Sequence, residues 1–286
     1  MFYSSAVLLT SFAATSVFGH GVIDSVKGAN GVTMPGLTVI DGTPRDCSQA
    51  KCGSQADTAI TRARELGTSK ASALGRTSGG GPVDASNMIS LFMGGDSNAT
   101  EVKMARELHE INIMRRSLGQ RAAKGGVKTP PGTVETGVKA AAGAGASTGL
   151  PTTADDGTLQ MNFHQINQDG AGPLTAMVDA TSGGTDPKAF KTAEVTQNVP
   201  GAGFGGLSLS TNMDFPVTVQ MPAGMTCSGT SGGANDVCVV KLQNAAIAGP
   251  FGGSAAFTQS PAAKKRAIEH NLAKRRFARA IVSGGD

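Results

Sequence analysis

Between Thr158 and Thr258 apolar and polar side chains alternate with a period of two, and that rhythm decides what most of this chain can become. Leu159, Met161 and Phe163 are separated by Gln160 and Asn162, and Phe215, Val217, Val219 and Met221 repeat the pattern. Successive side chains of a strand point to opposite faces, so each such segment makes one apolar face and one polar face. Residues 237–242 add a short, largely apolar run ahead of Gln243 and Asn244, and turn residues separate the segments at regular intervals. The expectation is a mainly β chain, an immunoglobulin-like β-sandwich spanning residues 20–258.

Residues 61–156 break the rhythm. They are rich in Gly, Ala, Ser and Lys and read as a long helical or disordered insertion. One helix is predicted, over 101–121, where Met104, Leu108, Ile111 and Leu118 recur at helical spacing with Arg106, Arg115 and Arg116 off the stripe. Such a stripe reads as packing. The Ala/Gly run at 140–146 reads as a disordered linker. Residues 259–286 form a basic tail carrying Lys264, Lys265, Arg266, Lys274, Arg275 and Arg276. It is predicted to be one exposed helix with Ile268, Leu272 and Phe277 on a weak apolar stripe.

The first apolar run, over residues 6–14, has the length of a secretory signal core and is followed by small residues. Residues 1–19 are therefore expected to be a signal peptide. Val17 and Gly19 at −3 and −1 favour cleavage before His20; Ala14 and Ser16 leave cleavage before Val17 open. Cys47, Cys52, Cys227 and Cys238 are an even set, as expected of an exported chain. Of the three possible pairings, the local one, Cys47 with Cys52 and Cys227 with Cys238, is favoured. Neither pair has the two-residue spacing of a zinc site. Asn98-Ala99-Thr100 is a glycosylation sequon and fits the same route. No other apolar run approaches the roughly 20 residues of a membrane span. The net charge of +4 is unevenly spread, which argues against a nucleic-acid surface. The expected product is a secreted, extracellular, disulfide-bonded glycoprotein, present as a single copy.

Four histidines remain as candidate chemistry. At a mature terminus, His20 would offer its α-amine and ring as a chelating pair, and one further imidazole would complete a nitrogen set suited to Cu(II). His164 is the candidate second imidazole. Alternation puts Met161 and Phe163 on the core face and so turns His164 outward, at a strand end before the Gly- and Pro-containing turn 169–173. The bland alternative is a surface histidine bonded to Asp169. His109 reads as solvated on the insertion helix, and His270 lies in the basic tail.

Taken together, His20-Gly21-Val22, the stretch from His164 through Asp169 to Pro173, and the stretch from Met221 to Cys227 resemble the appressorium-specific, Egh-type secreted virulence proteins of fungi. The stretches from Val237 to Lys241 and from Gln243 to Gly253 extend the likeness. The resemblance covers about residues 1–60 and 158–258. It implies a role in host penetration, with a host surface or the fungal wall or cuticle as partner. That family in turn looks distantly like lytic polysaccharide monooxygenases and other histidine-brace copper proteins. This implies a copper cofactor held by His20 and His164, with Phe251 as an axial residue and Gln243 behind them. It also implies copper-dependent oxidation of a wall polymer as an alternative function, and a metal-free surface-binding protein as another. The chain lacks Trp, and its one Tyr, Tyr3, lies in the signal segment, so it offers few of the flat aromatic faces on which sugars stack.

Overall fold

The computed structural model describes residues 20–94, 99–117, 125–203 and 205–283. Residues 1–19, expected to be a signal peptide, the sequon residue Asn98 and Leu118 lie outside the described residues. The strands are β1 (Gly21–Lys27), β2 (Thr33–Pro35), β3 (Ala59–Ile60), β4 (Arg76–Thr77), β5 (Gly81–Pro82), β6 (Val127–Lys128) and β7 (Thr158–Gln165). They continue as β8 (Thr175–Asp179), β9 (Lys191–Gln197), β10 (Met213–Gln220), β11 (Gly229–Ser231), β12 (Ala234–Gln243) and β13 (Phe251–Phe257). The helices are α1 (Ala85–Phe92), α2 (Ala99–Ser117), α3 (Gly137–Ala141), α4 (Gly145–Thr148) and α5 (Pro261–Ser283).

The chain is mainly β, as its alternation dictates. One antiparallel sheet runs in the order β2-β1-β7-β10-β9-β8-β12-β13-β3-β4-β5, with β6 on β10 and β11 on β12. The alternating residues behave as their period requires. Leu159, Met161 and Phe163 face inward beside Val219, Val217 and Phe215, with which they pair across β7 and β10. Each such side chain taken out of water contributes about 1.5–3 kcal/mol. The sheet curls so far that β1 comes to lie against β13. A Cβ on Gly253 would sit 2.7 Å from the Ile23 nitrogen, which is why β13 reads Gly-Gly-Ser-Ala-Ala at its centre. Both disulfides form as expected, Cys47–Cys52 and Cys227–Cys238.

The insertion is more ordered than its composition announced. Beside α2 it holds α1, α3 and α4. The 140–146 run, read as a linker, is packed structure in which Ala140, Ala142 and Gly145 are buried. Small residues let it approach closely: a Cβ on Gly145 would lie 2.5 Å from the Phe92 ring. The stripe on α2 is a second correction. Met104, Leu108 and Ile111 do not pack; they face solvent, because α2 docks through its polar side. Asn112 donates to the Val134 carbonyl at 2.9 Å, and Arg106 donates to the Ala140 and Ala142 carbonyls. His109, read as solvated, is half-buried and bonded to Thr136 at 3.1 Å.

Lys241 on β12 is a polar residue inside the protein, 3% exposed. Its Nζ donates to the Ala73 carbonyl at 3.1 Å and sits 4.4 Å from the centre of the Phe190 ring. Burial pushes its pKa down to about 8 from an ordinary 10.5. Between those values the unfolded chain binds the extra proton, so stability rises with pH across that window. Wild-type unfolding free energy, measured against Lys241→Met, is expected to climb from pH 8 to pH 10. A flat difference would show that the ammonium is solvated after all.

Candidate functional site

The site lies where β1, β7 and β10 run side by side. Val22 pairs with His164 and Gly21 with Gln165, and the ladder continues past the strand: the His20 carbonyl accepts from the Ile166 amide at 3.0 Å. His20 thus stands opposite Ile166, one diagonal step from His164 on the same face. The turn after β7 fixes His20 further, since its main-chain nitrogen donates to Asn167 Oδ1 at 2.7 Å. The His20 ring stacks on Phe251, with centroids 4.5 Å apart and planes at 29°.

His164 is 0% exposed, which corrects the outward reading. The alternation itself is right, for His164 does leave the core face. That second face is not open to solvent here: Asp214 meets His164 on it, and Arg116 of the insertion lies against Asp214. The bland partner is corrected as well: His164 bonds to Asp214, opposite it on β10, with Nδ1 2.7 Å from Oδ1. A carboxylate only accepts, so Nδ1 carries the proton, and in the neutral ring Nε2 is left with a lone pair. That Nε2 is buried and has no hydrogen-bond partner among the described residues.

Asp214 connects His164 to a buried charge cluster. Arg116 of α2 lies 3.4 Å from Asp214 Oδ2 through Nε, and its two terminal nitrogens bond Asp24 at 3.2 Å. Asp24 sits at a bulge in β1, where the register with β7 shifts between Ile23 and Ser25, and the bulge aims its carboxylate at Arg116 and Asn162. Arg45, 0% exposed, forks onto Asp57 at 3.1 and 2.6 Å and donates from Nε to Glu135 at 3.0 Å. Burial alone would raise the Asp24 pKa, but Arg116 and then Arg45 outweigh it and hold the carboxyl well below its usual range. Burial and the neighbouring Asp24 push Glu135 the other way, to about 7.

The remaining candidates divide. Phe251 is brought to His20, held by a bond from its amide to Asn244 Oδ1 at 3.0 Å. Asn244 also donates to the Asp169 carbonyl at 2.8 Å, tying Phe251 to the 166–174 turn. The Asp169 carboxyl makes no bond to His164; its Oδ1 is buried without a partner, and burial raises its pKa. Gln243 accepts from Thr61 Oγ1 at 3.2 Å and bonds neither histidine. Asp214, Arg116, Asn167 and Asn244 escaped the sequence reading, since nothing in a single sequence pairs a β10 acid with a β7 histidine 50 positions away.

Among the described residues no three His, Cys, Asp or Glu side chains form a group that could hold a metal ion. A histidine brace asks for less, two imidazoles and a main-chain nitrogen. The residues present fit that demand: His164 has an orphaned Nε2 and an oriented Nδ1, and His20 is its diagonal neighbour. No helix among the described residues is long and apolar enough to cross a membrane.

Residues 18–252 match the model of the Egh16-like virulence factors. The chain is 66% identical over 284 residues to the appressoria-specific virulence factor GAS2 of Pyricularia oryzae, covering 99% of this chain and 98% of that one. It is 29% identical over 288 residues to the appressoria-specific virulence factor GAS1 of the same fungus, covering 99% and 90%. No solved structure matches. The match spans β1, the His164 strand and its turn, and the approach to Phe251, so the residues that build the site lie within the shared region, and the chain belongs to the Egh16-like virulence factor family.

Proposed function

We propose that this is a secreted virulence-associated protein of fungal host penetration whose mature form binds one copper ion between His20 and His164. The virulence half rests on the relatives, which carry that description over almost their whole length. Export is supported by the apolar run at 6–14 and by two disulfides, which persist in oxidising compartments. The copper half rests on one observation, the His164 imidazole with Nδ1 fixed by Asp214 and Nε2 buried without a partner. Leaving such an atom unsatisfied costs about 1–3 kcal/mol. A metal ligand oriented through its other ring nitrogen by a carboxylate has just this arrangement.

In this reading His164 supplies Nε2, and the amine and ring of His20 supply the other nitrogens. Asn167 holds the His20 nitrogen in place, and Phe251 fixes the plane of the His20 ring. Copper held there would supply one-electron redox chemistry. The test is Cu(II) electron paramagnetic resonance on protein secreted from a fungal host, beside His164→Ala. One copper per chain with a nitrogen-rich tetragonal signal is expected for the wild type, and a changed or lost signal for the variant. Failure of the processed wild type to take up stoichiometric copper removes the copper half and leaves a metal-free protein of the host surface.

A further inference from the structure

The helix α2 docks through polar side chains and leaves large apolar ones in solvent, the reverse of an ordinary surface helix. At 100° per residue, Val102, Ala105, His109, Asn112 and Arg116 fall on one side, and these are the positions that meet the body of the protein. Asn112, Arg106, His109 and Arg116 all make their bonds inward. The opposite side carries Met104, Leu108, Ile111 and Met114, which are 58, 53, 55 and 68% exposed. Surface helices ordinarily turn such a stripe to the core. Here the polar side is fixed inward by ion pairs and capped carbonyls, so rotating the helix would break that whole set. The stripe is therefore held outward by the fold.

Its spacing says what it fits. Met104, Leu108 and Ile111 are separated by four and three residues, and Arg115 follows Ile111 by four: this is the 3.5-residue seam by which one helix packs along another. The charges on it are segregated. Glu101 and Glu107 flank it in its N-terminal half, Lys103 and Glu110 lie further round the helix, and Arg115 ends it. A parallel pair of such helices would set Arg115 against Arg115. A two-fold antiparallel pair brings Arg115 of one copy level with Met104 of the other, between Glu101 and Glu107, while Leu108 meets Ile111. Glu101 already holds Lys139 at 2.8 Å, but both side chains are more than half exposed, so the pairing leaves room for a second cation.

We propose that α2 is a self-association surface, and that two copies of this chain join as an antiparallel, two-fold helix pair through Met104, Leu108, Ile111 and Met114. This departs from the single copy expected of the sequence. Isologous contact is the commonest way for a patch to be self-complementary, and the seam is short, so association belongs to the weak, concentration-dependent class.

Sedimentation velocity on the processed, full-length secreted chain across about 1–100 µM should show the mass doubling. In Leu108→Glu/Ile111→Glu that doubling should vanish while circular dichroism and melting temperature stay put, because both side chains are exposed. Arg115→Glu should weaken association at least 10-fold, and Glu101→Arg/Glu107→Arg added to it should restore most of the loss, which only the antiparallel arrangement does. A wild type that stays a monomer throughout overturns the proposal. So does a dimer that survives Leu108→Glu/Ile111→Glu, which would place the contact elsewhere, on the exposed Ile268, Leu272 and Phe277 of α5 for instance. Binding of the monomer to phosphatidylcholine–phosphatidylserine vesicles without doubling overturns it as well, and would make the stripe a lipid contact.

Discussion

Arg45→Met should lower the unfolding free energy by about 3–5 kcal/mol, the cost of removing one partner from a buried ion pair. The guanidinium is wholly inside, with two terminal nitrogens on Asp57 and Nε on Glu135. Methionine fills most of the volume but leaves two buried acids without their cation. Asp57 would retain only a long 3.4 Å bond from the Ile40 amide. Glu135 is better placed, with the amides of Thr136 and Gly137 at 2.9 and 2.8 Å. Most of the penalty should therefore fall on Asp57, and Arg45→Met/Asp57→Asn should regain a large part of it. Chemical denaturation of the three proteins checks this, and an Arg45→Met protein within 1 kcal/mol of wild type would mean that water reaches the cluster. Because Arg45 also helps to hold Asp24 ionised, the same variant should loosen the seat of Arg116 and, through it, of Asp214.

That chain of contacts marks the boundary of what the sequence could tell. The alternation of Leu159, Met161 and Phe163 was legible because strand geometry allows one inward set, and the same rhythm correctly took His164 off that set. Whether the other face meets water depends on what lies over it. Here what lies over it includes Arg116 of α2, from an insertion with no strand rhythm, a polar residue whose partners are far away in sequence. The α2 stripe misled for the same reason. Spacing identifies an apolar face but not which way it points, and the ion pairs that point it away from the core are tertiary. Disulfide pairing was the easier problem, since separations of 5 and 11 residues keep each pair local. Phe251 was singled out through family resemblance, and its stacking on His20 depends on Asn244, two residues past the end of the apolar run 237–242.

Gly170→Ala should disable the candidate copper site without touching a ligand. The turn after β7 comes back over the start of β1 so closely that a Cβ on Gly170 would lie 1.9 Å from the His20 carbonyl oxygen and 2.6 Å from its carbon. Both atoms are backbone, so no rotamer change relieves the clash; either the turn lifts or His20 moves. The first opens the bond from the His20 nitrogen to Asn167, and the second breaks the 3.0 Å bond from Ile166 that keeps His20 in register with β7. Overpacking of this kind costs about 1–3 kcal/mol of stability. The effect on copper should be larger in proportion, at least about 10-fold in affinity, because the supports of a ligand typically matter to that degree. Titration of copper into secreted wild type and Gly170→Ala, both folded at the working temperature by circular dichroism, reads the difference. Unchanged uptake in the variant would mean that the position of His20 is immaterial to copper, and a brace that does not depend on where its first residue stands is not a brace.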